Sequence, residues 1–95
     1  MVIYEVNIQF DANIQNNFLS WLKSHANKML KFNGFERYNI YKDEKDALCF
    51  SIHYYIKSII YLENYLKNHS TNMRLKGEKE FQNKMSINRR VLSKL

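Results

Sequence analysis

Two stretches of this 95-residue chain alternate apolar and polar residues with a period of two, and that pattern constrains the fold more than any other feature. In the first, Val2, Tyr4, Val6, Ile8 and Phe10 alternate with Ile3, Glu5, Asn7 and Gln9. In the second, Leu48, Phe50, Ile52, Tyr54 and Ile56 alternate with Cys49, Ser51, His53 and Tyr55. Successive side chains on a strand point to opposite faces, so each stretch predicts a strand with one apolar face and one mixed face. The first strand is expected over about residues 2–10. The aromatic and β-branched segment "FERYNIYK" predicts another strand, and the charged turn "DEKD" joins it to the second alternating stretch as a hairpin.

Helical spacing fills the gaps. Ile14, Phe18, Trp21, Leu22, His25, Met29 and Leu30 fall on one side of a helix expected over about residues 12–32, with Asp11 as N-cap and Asn33-Gly34 as the stop. Ser58 is placed to cap a second helix whose inner positions would be Ile59, Leu62, Tyr65, Leu66 and His69. A cap at Ser70 or Thr71 opens a further short helix through Met73 to Phe81, with Gly77 as its weak point. In "KMSINRRVL" strand phase returns, with Met85, Ile87, Arg89 and Val91 opposite Ser86, Asn88, Arg90 and Leu92. The order is β-α-β-β-α-β with an added helical turn before the last strand. It predicts an α+β, ferredoxin-like plan: a four-stranded antiparallel sheet in the order 4-1-3-2, with the helices on one face. There is no proline, repeat or low-complexity run, so residues 1–95 are expected to form one domain.

Composition excludes several classes of function. The lone Cys49 cannot form an internal disulfide, which makes the cytoplasm the expected compartment. The opening "MVIYEVNIQFD" lacks the basic and apolar regions of a secretory leader, and no segment has the roughly 20 apolar residues of a membrane span. The net charge of +6 suggests a polyanion, yet the lysines are scattered among acidic residues and the only basic doublet is Arg89-Arg90. Two glycines in the whole chain rule out a Gly-rich phosphate or dinucleotide loop. His25, His53 and His69 fall on three different elements, so neither a metal nor a cofactor is predicted.

The stretches "MVIYEVNIQFD", "FLSWLKSHANKMLKFNGF", "FSIHYYI", "YLENYLKNHSTNMR" and "NRRVL" resemble a family of small bacterial proteins of unknown function, DUF4286, over nearly the whole chain. Such proteins look like relatives of the dimeric α+β barrel superfamily, which includes antibiotic-biosynthesis-type and haem-degrading monooxygenases. The resemblance implies this fold and a homodimer, and it carries no reaction. A dimer suits the second sheet face, where Ile3, Glu5, Asn7, Gln9, Cys49, Ser51, His53, Tyr55, Arg90 and Leu92 would lie, a mixture too apolar for water and too polar for a dry core.

Two clusters are candidates for chemistry. Trp21 and His25, with Tyr54 or Arg89 nearby, would line a pocket between the first helix and the sheet, where the histidine could act as acid, base or ligand. The plainer reading makes Trp21, His25 and Met29 the inner face of a core helix. Glu5, Asn7, His53, Tyr55 and Arg90 would form a polar cluster on the second face, able to bind an anion or move a proton, or acting simply as ion pairs between strands or subunits. Three functions follow in order: a homodimeric small-molecule-binding or accessory protein, a monooxygenase-like enzyme using the helix-sheet pocket, and nucleic-acid binding through the sheet. The last places Tyr55 as a stacking platform but lacks the RNP strand signature and sets Glu5 and Gln9 on the same face.

Overall fold

The computed structural model describes residues 1–81 and 83–95. Strand β1 (Val2–Phe10) leads through a 3₁₀ turn (Ala12–Ile14) into helix α1 (Gln15–Met29). Strands β2 (Phe35–Lys42) and β3 (Cys49–Ile56) follow, then helices α2 (Ile59–Asn68) and α3 (Ser70–Phe81) and strand β4 (Met85–Ser93). All neighbouring strands are antiparallel and their order is β2-β3-β1-β4, which is the expected 4-1-3-2 order read from the other edge.

The period of two sorts the sheet cleanly. Tyr4, Val6, Ile8 and Phe10 of β1 and Ile52, Tyr54 and Ile56 of β3 are buried together with Phe18, Leu22, Ala26 and Met29 of α1, Leu62 and Tyr65 of α2, and Met73 and Phe81 of α3. One sheet face therefore carries all three helices. The aromatic load of the sequence sits here: the Phe18 ring lies 4.9 Å from Phe10 and 5.2 Å from Phe81, and Tyr65 lies 5.0 Å from Phe32 and 5.2 Å from Phe35.

Helix boundaries depart from expectation for local reasons. Asp11 is extended but its carboxylate makes no capping bond, and its backbone N–H instead donates to Lys84 O at 2.9 Å, tying the end of β1 to the start of β4. α1 stops at Met29, before residue 32, because the N–H groups of Leu30, Lys31 and Phe32 bond only three residues back, to Asn27, Lys28 and Met29. Gly34 is therefore not the residue that ends α1 but part of the turn into β2, where its φ of +84° and a Cβ that would overlap the Tyr61 ring both require glycine. Ser58 also makes no capping bond. Of the inner positions expected on α2, Leu62 and Tyr65 are buried, whereas Ile59 and Leu66 are 43% and 36% exposed. At about 100° per residue these two flank the buried stripe and do not lie within it.

The expected helical turn before the last strand is a full helix of 12 residues. Ser70 is not its side-chain cap, since the hydroxyl donates back to Leu66 O at 2.8 Å. Such back-bonding bends helices, and here it accompanies the break at His69 (φ −130°, ψ −24°) that redirects the chain from α2 into α3. No described helix is long and apolar enough to cross a membrane.

Candidate functional site

α1 buries a stripe of residues centred on Phe18, Leu22, Ala26 and Met29. Trp21 and His25 are not at the centre of that stripe with Met29, as the four-residue spacing suggested, but on its flank, half-buried. There the two rings stack, with centroids 4.8 Å apart and planes 15° from parallel, and Phe81 of α3 meets the indole edge-on at 5.2 Å. α3 comes this close because Gly77 faces the indole. A Cβ at Gly77 would lie 3.1 Å from Trp21 Cη2 and 3.2 Å from Met85 Cε.

The layer beside these rings is not filled to core density. A cavity of about 60 Å³ lies between α1, α3 and the inner sheet face, and its lining includes Trp21, His25, Tyr54 and Arg89, the four residues expected there from the sequence. They come from α1, β3 and β4, and Arg89 reaches the inner face because it pairs with Val6, whose side chain points to the helices. As it stands the cavity holds about two waters and is well short of the roughly 300 Å³ at which organic ligands are usually enclosed. It is not sealed: Arg74, Met85, Ile87 and Arg89 also line an open groove of about 530 Å³ between α3 and β4.

Burial and neighbours set the chemistry of the lining. Desolvation, reinforced by Lys28 and Lys76, lowers the His25 pKa from 6.5 to about 4, so the imidazole is neutral at pH 7. A base that weak is poorly matched to proton abstraction at neutral pH, though the ring can share a hydrogen bond with a ligand. Burial also raises the Tyr54 phenol, with help from Tyr65, Tyr4 and Tyr38, well above its usual range. Tyr65 rises to about 12 through burial and Tyr4, against an opposing pull from Arg74 and Arg89. Neutral phenols and a neutral imidazole thus share the cavity with two guanidinium groups.

The second cluster forms as the register requires. Glu5 pairs with His53 on one side and Arg90 on the other, and the three side chains meet on the outer face. Glu5 as a whole is only 5% exposed. Its carboxylate accepts hydrogen bonds from Arg90 Nε, from Asn7 Nδ2 at 3.1 Å, and at 2.9 Å shares one with His53 Nε2. Its pKa falls from 4.5 to about 2, chiefly through the Arg90 bond, with burial opposing and Asn7 and His53 assisting. Ser51 extends the chain by donating to Asn7 Oδ1 at 2.7 Å. The bonds run between neighbouring strands of the one sheet, so this cluster is satisfied as an inter-strand network without a ligand. Tyr55 lies outside it, with the Arg37 guanidinium over its ring, 3.9 Å from the centroid. Among the described residues no three His, Cys, Asp or Glu side chains converge as metal ligands.

The family model described as Domain of unknown function (DUF4286) matches residues 1–95. The chain belongs to that family. No curated protein matches this DUF4286 member. Solved structures with the same fold include SnoaB, a cofactor-independent oxygenase from Streptomyces nogalater, at 10% identity and TM-score 0.75, the alignment covering 99% of this chain and 93% of that one. A candidate antibiotic biosynthesis monooxygenase from Deinococcus radiodurans aligns at 14% identity and TM-score 0.73, over 100% and 95% of the two chains. A conserved protein from Methanosarcina mazei aligns at 18% identity and TM-score 0.70, over 100% and 94%. At such identities the likeness establishes the ferredoxin-like α+β fold alone.

Reasoning from sequence missed the contribution of α3. Met73, Arg74 and Gly77 line the cavity, joined by Tyr65 and Met85. A signal was present: Met73 and Gly77 share a helix face, and a glycine in mid-helix marks close approach of a neighbour as readily as weakness.

Proposed function

We propose that this protein binds a small organic ligand in the cavity between helices and sheet, acting in the cytoplasm as a homodimeric α+β barrel in a binding or accessory role. One observation carries the ligand site: Trp21, His25, Tyr54 and Arg89, drawn from α1, β3 and β4, border one cavity that continues into an open groove. Apolar walls with a few convergent polar groups are the usual make-up of small-molecule sites. The dimer rests on the outer sheet face, where Ile3 and Leu92 are half-buried beside the Glu5 network and Tyr41 is 46% exposed. Isologous pairing of two such faces would cover the apolar part while leaving the ion pairs intact. The single Cys49 fits a reducing compartment.

A thermal-shift screen of aromatic acids, phenols, flavins and haem, followed by NMR of the Trp21 indole N–H, tests the site. Ligands that raise the melting temperature and move that resonance support it, and binding that leaves the indole unmoved places the ligand elsewhere. Sedimentation at micromolar concentration tests the dimer, and an 11.5 kDa species would overturn it. A second reading, a monooxygenase-like enzyme using the same cavity, draws support from the shared fold with SnoaB, described as a cofactor-independent oxygenase. Oxygen uptake with electron-rich phenols that disappears in His25→Ala would favour it, and uptake equal to buffer alone would leave the binding role.

A further inference from the structure

We infer that the cavity selects organic carboxylates: Arg74 and Arg89 hold the carboxylate at the mouth, and the apolar body enters between Trp21 and the methionines. The inference rests on the cavity being a ligand site. Arg74 from α3 and Arg89 from β4 both border the cavity and the groove outside it, so the two guanidinium groups flank the passage from one to the other. Among the described residues the ion pairs are His53 with Glu5 and Arg90 with Glu5, both on the opposite face of the sheet. Neither Arg74 nor Arg89 takes part in one. Among the described residues no carboxylate lines the cavity, and Glu78 is the only one on the groove. Lys28 and Lys76 also act on His25, so positive charge outweighs the one nearby carboxylate, Glu78, around the opening. Guanidinium groups bind carboxylates through paired, charge-assisted hydrogen bonds, and such a site draws in anions.

The interior dictates the rest of the ligand. Met29, Met73 and Met85, every methionine of the chain except Met1, line this one cavity. Methionine is unbranched and adaptable, so a wall built from three can yield to a body larger than the resting cavity of about 60 Å³. Tyr54 and His25 offer only neutral polar groups, which suits a monoanion whose charge stays at the mouth better than a dianion that must shed more water.

Isothermal titration and the Trp21 indole resonance, with benzoate, benzyl alcohol and inorganic phosphate as probes, test the assignment. Benzoate should bind about tenfold or more tightly than benzyl alcohol and should move the Trp21 resonance. Arg89→Met and Arg74→Met, which keep the length of the side chain, should each lower benzoate affinity and leave benzyl alcohol unaffected. Arg74 is exposed on α3, so its variant carries little risk to folding. Equal binding of benzoate and benzyl alcohol at Trp21 would overturn the anion selectivity while leaving the ligand site standing. Benzoate affinity unchanged in both variants, or inorganic phosphate matching benzoate, would also overturn it. A Trp21 resonance unmoved by benzoate and by every compound of the wider screen would remove both readings together.

Discussion

Acid should destabilise the fold through His25 well before it touches the Glu5 network. The imidazole has a pKa of about 4 in the folded protein against 6.5 when unperturbed, because it is desolvated beside Trp21 and faces Lys28 and Lys76. Between those values the unfolded chain binds a proton that the folded chain refuses, so stability rises with pH across the window and falls as pH drops. Each pH unit in the window is worth about 1.4 kcal/mol. From pH 6.5 to 5 the folded state therefore loses about 2 kcal/mol, a large part of the total for a domain of this size. The variant His25→Phe keeps a flat ring against Trp21 and removes the titration. Urea unfolding of both proteins at pH 7, 6 and 5, followed by far-ultraviolet circular dichroism at one protein concentration, isolates the effect, since all other titrating groups are shared. The wild type should lose about 2 kcal/mol more than the variant between pH 7 and 5. Parallel pH profiles, or an imidazole that titrates near pH 6.5 by NMR, would refute the account of a desolvated His25.

Glu5→Gln should destabilise the protein at neutral pH, with the deficit constant above pH 4.5 and fading as pH falls toward 2, because the depressed carboxylate contributes only while ionised; unfolding curves at pH 7 and 3 measure it. Gly34→Ala should cost about 2–5 kcal/mol in chemical denaturation, the sum of a left-handed backbone and overlap with Tyr61. Gly77→Ala should stay within about 1 kcal/mol of wild type, gaining helix propensity while crowding Trp21 and Met85. The same methyl group projects into the cavity wall, so aromatic probes should lose affinity in calorimetry.

Much of this was legible before any coordinates. The period of two in Val2–Phe10 and Cys49–Ile56 determined which side chains face the helices and which face away, since a strand can do nothing else with alternating residues. That parity alone placed Glu5, His53 and Arg90 on one face and Arg89 on the other. Asn33-Gly34 marked the turn between α1 and β2, though not the residue where α1 ends, because few residues other than glycine accept the left-handed backbone at Gly34. Capping was misread at Asp11, Ser58 and Ser70, where a side chain with the right chemistry was diverted or left unused. Whether the layer beside Trp21 and His25 is hollow depends on how far α3 stands from α1 and the sheet, a distance between elements that no local pattern encodes. So the sequence by itself determined the elements, their order and the parity of each strand, all of which follow from backbone periodicity. Only the tertiary structure decided that Gly77 brings α3 against Trp21, that Arg74 and Arg89 line the same cavity, and that Glu5 is satisfied by its own strands, because these depend on packing across the fold.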